Sequence, residues 1–391
     1  MSKIYLDYAA TAPCDPKVTR AMSGYLKKDF GNPSSIHGFG QKASMAIGEA
    51  RQSVAEFLNC ESEEIVFTGS ATEADNLAIF GVLKALRAAK PHIITSQIEH
   101  PAVLESCREL EKRGAEVTYL PVNKDGVVEV SELKNALKPN TILVSIVYAN
   151  NEIGTIQPIA EIGVLIKNYN PKILFHTDAV QAVNFLDCDV KKLGVDLLTL
   201  SGHKIYGPKG VGVLYVKRGT PIEPIIYGGG HERGLRSGTE NVPGIVGLGQ
   251  AIREIQNPIR QTANKIQNIR IRQLRDRLIK TILKIIPASR LNGSLTQRLP
   301  NNVNISFDGA EGEAIVVALD QKGIAASTGS ACSSGSLKPS HVLLALGLSE
   351  EVAHGSLRLT LGKYNTVKDI EKVIKVLPVV IQKLRKISGY K

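Results

Sequence analysis

A lysine, an aspartate and a cysteine define the chemistry open to this chain. Lys204 lies in the stretch Leu198-Thr199-Leu200-Ser201-Gly202-His203-Lys204-Ile205-Tyr206-Gly207-Pro208-Lys209-Gly210, just past an apolar run and before a Gly/Pro-rich turn. A lysine in a partly buried pocket loses its charge readily and can form a Schiff base with a carbonyl. An isolated loop lysine is usually plain surface, but here Ser201 and His203 set anion-binding groups beside it. Asp178 closes the apolar run that starts at Ile173. A carboxylate at such a strand end either caps a helix or pairs with a pyridinium nitrogen and keeps it protonated. Thr68-Gly69-Ser70-Ala71-Thr72-Glu73 leads into a helical pattern, so it reads either as a phosphate site at a helix N-terminus or as a capping box. No GxxxxGK[ST] loop is present, and Gly207, Gly210 and Gly212 precede a strand, which excludes a dinucleotide fingerprint.

The cysteines are Cys14, Cys60, Cys107, Cys188 and Cys332, with no two close in sequence. That spacing excludes a CxxC metal or dithiol motif and a disulfide scaffold. It leaves two readings: inert thiols in a reducing compartment, or one nucleophile among them. Around Cys332 the sequence Ser327-Thr328-Gly329-Ser330-Ala331-Cys332-Ser333-Ser334-Gly335-Ser336 is loop-like rather than core-like.

The elements that must position these residues follow from periodicity. Short apolar runs alternate with amphipathic stretches from about Ser62 to Val216, which predicts crossover connections and a mainly parallel sheet covered on both faces. Polar residues follow strand after strand: Thr68-Gly69-Ser70, Glu99-His100, Asn150-Asn151-Glu152, Asp178 and Ser201–Lys204. Sheets of this kind bind ligands outside the carboxyl ends of their strands, so these stretches predict one site. Beyond the long basic segment the pattern becomes mixed: Val303–Phe307 and Leu357–Leu361 alternate like strands, and Gly312–Leu319 and Val367–Ile387 are helical. The expected division is a large domain over 15–250 and a smaller α+β domain built from 1–14 and 251–391, carrying a loop at about 327–340.

The chain has 391 residues, a net charge of +11 and 43% hydrophobic content, enough apolar material for a large folded core. Residues 251–290 hold ten Lys/Arg against Glu254 and Asp276, with apolar residues at Ile252, Ile255, Ile259, Ile266, Ile269, Leu274, Leu278 and Ile282. That spacing predicts an amphipathic helix with its cations largely on the solvent face. No zinc, RRM or helix-turn-helix signature accompanies the charge, so nucleic acid is not the expected partner. Runs such as Ile142–Ala149 are too short to span a bilayer, and the opening residues lack an apolar signal region. A cytoplasmic protein without membrane attachment is expected.

Taken together, SGHKIYGPKG, HTDAVQ, TGSATEADN, the opening YLDYAATAP, GNPSS, Glu99-His100, NNEIG and Arg236-Ser237-Gly238-Thr239 resemble the fold-type-I pyridoxal-phosphate enzymes of aminotransferase class V. The cysteine segment narrows the resemblance to the cysteine desulfurases with a long cysteine loop, which serve iron–sulfur cluster assembly. The resemblance implies an α/β fold and a homodimer that binds pyridoxal 5'-phosphate. It implies that Lys204 forms the Schiff base and moves protons, that Asp178 pairs with the ring nitrogen, and that His100 stacks on the ring and acts in acid–base steps. Gln181 and Asn150 would reach the ring hydroxyl. Ala71 (backbone), Thr72, Ser201 and His203 would hold the phosphate, with Thr239 supplied by the second subunit. Arg358, helped by Asn150, would clamp the carboxylate of L-cysteine. Cys332 would take the sulfur as a persulfide, release alanine, and pass the sulfur to an acceptor such as a cluster scaffold. No resident metal is implied, although Cys332 could ligate a cluster transiently with a scaffold partner. Cysteine and selenocysteine as substrates are not separated by any residue here. A sulfur-relay or binding module with a vestigial cofactor site is the rival from outside enzymes, and intact Lys204, Asp178 and His100 argue against it.

Overall fold

The structure, a computed structural model, describes residues 3–256, 258–329 and 338–390. Its strands are β1 (Ile4–Tyr5), β2 (Ile65–Thr68), β3 (His92–Ser96), β4 (Glu116–Leu120), β5 (Thr141–Ser145), β6 (Leu174–Asp178), β7 (Leu197–Ser201), β8 (Gly212–Val216), β9 (Ser289–Leu291), β10 (Asn302–Phe307), β11 (Ile324–Ala325) and β12 (Ser356–Thr360). The helices are α1 (Pro16–Lys27), α2 (Gly38–Leu58), α3 (Ala71–Leu86), α4 (Pro101–Lys112), α5 (Val130–Ala136), α6 (Ile159–Tyr169), α7 (Val190–Leu193), α8 (Val242–Gln256), α9 (Pro258–Ile285), α10 (Gly312–Asp320), α11 (His341–Ala345), α12 (Glu350–His354) and α13 (Val367–Ser388).

Seven strands form the large sheet in the order β2-β8-β7-β6-β5-β3-β4. All neighbours are parallel except β8, which runs antiparallel to both β2 and β7. Side chains alternate between faces along each strand, and the two faces pack into different apolar clusters. Ile94, Val144, Phe175, Leu198 and Val213 join residues of α2, α6 and α8. Val66, Ile93, Leu143, Leu197 and Leu214 join Leu77, Ala78, Val103 and Cys107 from α3 and α4. A strand covered on both sides has no polar face to show, which is why these runs read as nearly continuous apolar sequence.

A separate cluster gathers Val303, Ile305 and Phe307 of β10, Leu357 and Leu359 of β12, Ile315 of α10 and Leu377 of α13. The chain's opening belongs here: Ile4 and Leu6 pack in this cluster, and β1 pairs in parallel with β11. Ala251 and Ile252 still pack with the first cluster, whereas Ile271 packs with this second one.

The long basic segment departs from the apolar stripe expected over 251–290. Ile271, Leu274, Leu278, Ile279 and Ile282 are buried, while Ile266 and Ile269 are 62% and 56% exposed. The side chains of Ile259 and Arg260 lie outside the described residues. The cations are not simply solvated either. Arg275 is buried and donates to the carbonyl of Leu299 at 2.8 Å, Arg270 donates to those of Asn365 and Lys363, and Arg277 pairs with Glu371 at 2.9 Å. Leu278→Ala should therefore cost about 2–5 kcal/mol in urea unfolding, and Ile269→Ala less than about 0.5 kcal/mol. Equal costs would contradict this helix phase.

Candidate active site

A cavity of about 990 Å³ opens at the carboxyl ends of the parallel strands. Two helices begin on its wall. Ser70 caps α3, its hydroxyl accepting from the Glu73 amide at 3.1 Å. Glu73 does not close the capping box on Ser70. It accepts instead from the Gly69 amide at 2.8 Å and pairs with Arg236 at 2.7 Å. The first N–H groups of a helix have no partner inside it, so those of Ala71 and Thr72 are available to an anion in the cavity that both residues line. Gly212 permits this arrangement. A Cβ there would stand 2.6 Å from the Ser70 carbonyl carbon and 2.8 Å from the Ala71 nitrogen, so only glycine lets β8 pass directly beneath the turn. The phosphate-site and capping readings of this segment therefore hold together: one hydroxyl caps the helix while the amides before it stay open.

His100 caps α4, its Nδ1 accepting from the Ala102 amide at 3.1 Å. Burial pushes its pKa down, so the ring is neutral. With Nδ1 an acceptor, the proton of that neutral ring sits on Nε2.

Lys204 follows β7 and lines the same cavity. Its Nζ donates to the carbonyls of Ala9 and Ala10, both at 2.7 Å. Gln181 donates to the Ala9 carbonyl at 3.0 Å, and His203 Nδ1 lies 3.2 Å from the Thr11 hydroxyl. The opening segment thus crosses the sheet to form part of the site. Burial drives the pKa of His203 down to about 4. Thr11 lines the cavity but carries no signal in the sequence, since its placement depends on this long-range docking.

Asp178 ends β6, buried, with Oδ1 accepting from the Val180 amide at 2.9 Å. It caps no helix. Burial raises its pKa, and His100 and Lys204 pull it back. Asp75 is a second buried carboxyl on the cavity wall, raised well above the usual range by burial and by the proximity of Asp178. It lies one helical turn beyond Ala71 on the same face of α3, and that spacing was the signal available for it. Behind them His176 sits between the hydroxyls of Ser145 and Thr199 at 2.8 and 3.1 Å. Burial drives its pKa down to about 3, so its 3.6 Å approach to Asp75 is a contact of a neutral ring, not an ion pair.

Arg358 projects from β12, 3% exposed. Nη2 donates to Asp7 at 2.8 Å and Nη1 to the carbonyl of Asn151 at 3.0 Å, while Nε has no partner among the described residues. The guanidinium lines the cavity and retains donor capacity there.

Asn150 does not take the place expected of it. Its side chain is fully buried, donating to the Ile98 carbonyl at 2.8 Å and accepting from the amides of Glu152 and Ile153. It closes its own turn, as asparagine side chains commonly do. The cavity is lined by Asn151 instead. Two adjacent asparagines are indistinguishable until the turn decides which one faces inward.

Ala71, Thr72, His100, Asp178, Gln181, Ser201, His203, Lys204 and Arg358 share the one cavity. Thr239 is exposed and does not line it. Cys332 lies outside the described residues, but both flanks of its segment meet the site. The backbone of Ser327 pairs with that of Arg358, at 3.2 and 2.7 Å. On the far side, Ser340 donates to Glu152 at 2.6 Å and His341 Nε2 lies 2.9 Å from the Glu99 carbonyl. Glu99 is itself buried, its pKa pushed up to about 8 by burial.

Two outcomes test this site. Gly212→Ala should weaken pyridoxal-phosphate binding at least tenfold in an absorbance titration, because the added methyl must displace the turn that presents Ala71; unchanged affinity would refute the cradle. His176 binds its proton near pH 6.5 when unfolded and near pH 3 when folded. Its contribution to stability is present above pH 6.5 and is lost as pH falls through 3. Thermal midpoints from pH 7 to 4 should decline less steeply in His176→Asn than in the wild type, and parallel declines would contradict a neutral buried ring.

The comparisons with known proteins agree with this geometry. The aminotransferase class-V model matches residues 4–373. A protein of Dictyoglomus turgidum named cysteine desulfurase IscS is 52% identical over 389 residues, covering 100% of this chain and 97% of the relative. One of the same name from Methanosarcina thermophila is 53% identical over 385 residues, covering 98% and 93%. Among solved structures, a NifS-like protein superposes with a TM-score of 0.88 at 36% identity over 100% of both chains. Another, named SspA in complex with cysteine, gives 0.79 at 38% identity over 93% of this chain and 100% of that one. By sequence along nearly its whole length and by its fold, the chain belongs to the aminotransferase class-V family, among its cysteine desulfurases.

Proposed function

We infer that the protein is a pyridoxal-phosphate-dependent cysteine desulfurase that converts L-cysteine to L-alanine and carries the sulfur on Cys332 as a persulfide. The observation that carries the reading is the convergence of Lys204, Asp178 and Arg358 on one cavity whose wall is paired to Ser327, five residues ahead of Cys332. A solved relative is named as a complex with cysteine, which supports that substrate.

The residues present fit the cofactor. The open amides at the start of α3, beside Ser201 and His203, match a phosphate. Asp178, a buried carboxylate, matches a ring nitrogen that must stay protonated. Lys204 supplies the amine, and its two carbonyl acceptors from Ala9 and Ala10 would orient its Nζ until a carbonyl group takes over the nitrogen. When bound, the cofactor would supply an electron sink for charge developing on the substrate α-carbon.

The chain's own groups divide the remaining work. Arg358 holds the substrate carboxylate, its Asp7 and Asn151 contacts keeping the guanidinium in place. Lys204 takes and returns the α-proton. His100, on the cavity wall with Nδ1 held by the Ala102 amide, would stack on the cofactor ring and offer its Nε2–H as a hydrogen bond to the reacting atoms. Cys332, as thiolate, attacks the substrate sulfur and breaks its carbon–sulfur bond. The electron pair goes to the substrate β-carbon, which is protonated, so that alanine departs and the enzyme keeps a persulfide. Because a free thiol has a pKa of about 8.5, a nearby base must take its proton first.

We further propose a homodimer. Phe30, Ile36, Phe39 and Met45 are apolar yet 69%, 92%, 57% and 67% exposed, and Thr239 is exposed without lining its own chain's cavity, which suits a residue supplied to a partner. The packing of Ile4 and Leu6 with β10, β12, α10 and α13, in a cluster apart from those of the large sheet, supports a small domain beside a large one. The name IscS borne by similar proteins supports a scaffold for iron–sulfur clusters as sulfur acceptor. Among the described residues no helix is long and apolar enough to cross a membrane, and Cys14, Cys60, Cys107 and Cys188 are free thiols, which supports a cytoplasmic setting.

Cys332→Ser should bind the cofactor with unchanged absorbance yet form no persulfide from L-cysteine, and Lys204→Ala should lose the Schiff-base absorbance. Sulfur release at the full rate in Cys332→Ser would overturn the nucleophile assignment.

A further inference from the structure

Glu152 is buried at 4% exposure and does not line the cavity. Its position is set rigidly. The backbone amide donates to Asn150 Oδ1 at 2.8 Å, and the carbonyl accepts from Asn302 and Asn304 at 3.0 and 3.2 Å. Its carboxylate is bonded to the stretch that follows Cys332: Ser340 donates to Oε2 at 2.6 Å, while the same hydroxyl accepts from the Leu343 amide and starts α11. Gly329, ahead of Cys332 and with φ of +91°, lies near enough that a Cβ there would stand 3.3 Å from Oε2. The carboxylate thus bonds one point and lies beside another, eleven residues apart in sequence, with Cys332 between them.

We propose that Glu152 is a positioning residue for the sulfur-transfer step, holding together the two stems, 327–329 and 338–341, from which the Cys332 segment springs. The proposal rests on the desulfurase reading above. The surrounding contacts support a clamp rather than a filler. Ser327 is paired to the Arg358 backbone, Ser356 donates to the Thr328 carbonyl at 3.2 Å, and His341 is held on the Glu99 carbonyl. A buried carboxylate is costly and needs bonding partners, so packing alone does not favour one here. Joining the stems removes the closure entropy of the segment between them. It also keeps the thiol close, since the three residues from Gly329 to Cys332 span at most about 11 Å. Bringing two reacting groups together in this way raises the rate of their encounter without changing either group. Removal of the substrate α-proton uses Lys204 inside the cavity, whereas among the described residues the Glu152 side chain bonds to Ser340 and not to one lining the cavity.

That separation supplies the test. The holoenzyme carrying Glu152→Ala, Glu152→Gln or Ser340→Ala is compared with wild type in two assays: exchange of the α-hydrogen of L-alanine with deuterium from solvent, and single-turnover persulfide formation on Cys332 from L-cysteine. Glu152→Ala and Ser340→Ala should keep exchange within about twofold and lose persulfide formation at least tenfold. Glu152→Gln, whose amide oxygen still accepts from Ser340, should stay within about threefold in both. Should Glu152→Ala not fold, Ser340→Ala reads the same contact. Equal losses in the two assays would mark Glu152 as merely structural, and undiminished persulfide formation in Ser340→Ala would overturn the clamp. A wild type that exchanges the α-hydrogen but forms no persulfide would overturn the desulfurase reading, and this proposal with it.

Discussion

A guanidinium buried to 3% exposure sets the terms for the rest of this site. A charge taken out of water must be paired and hydrogen-bonded, or it destabilises the fold by several kcal/mol. Arg358 meets that demand with Asp7 from the opening segment and the Asn151 carbonyl from a turn of the large sheet, while its own backbone pairs with Ser327. Four pieces of chain remote in sequence are thereby tied to one side chain. Docking of the opening segment brings Ala9, Ala10 and Thr11 to Lys204 and His203. Pairing with Ser327 brings the start of the cysteine segment to the same wall. Arg358 also lines the cavity, where its guanidinium can meet a carboxylate.

The large sheet contributes something different, namely order. Its parallel strands all end on one side, so Asp178, Ser201 and Lys204 arrive together by topology before any side chain makes a choice. The helices that follow the strands begin on that side too, which places the open amides of α3 and the capped ring of His100 at the cavity mouth. Electrostatically the floor is unusual. Asp75, Asp178 and Glu99 are buried carboxyls whose pKa values burial raises, and His176 beneath them is held neutral. Burial favours the neutral forms of these carboxyls, and a cationic ring nitrogen beside Asp178 would favour that residue's ionised form, which fits the site to the cofactor.

Much of this was legible beforehand because it depends on local pattern. Two-residue alternation over Val303–Phe307 and Leu357–Leu361 located β10 and β12 within a residue. The chemistry of SGHKIYGPKG and HTDAVQ marked Lys204 and Asp178. What was not legible turned on phase and facing. The face of 251–285 that is buried was misread: Ile266 and Ile269 are exposed and Arg275 is buried. Asn150 and Asn151 are chemically identical neighbours, and a one-residue difference in a turn decides which of them is structural.

The sequence alone supplied the fold class through periodicity and the family through resemblance, and it singled out Lys204 and Cys332 as candidates, since these rest on local patterns that need no partner. Tertiary structure alone decided that Asn151 rather than Asn150 faces the cavity, that the opening segment lines the site, and that Glu152 sits between two stems far apart in the chain. Each of these is a relation between segments distant in sequence or between faces of one turn. Such relations arise when buried charges and amides must find partners, and no local pattern encodes which partner they find.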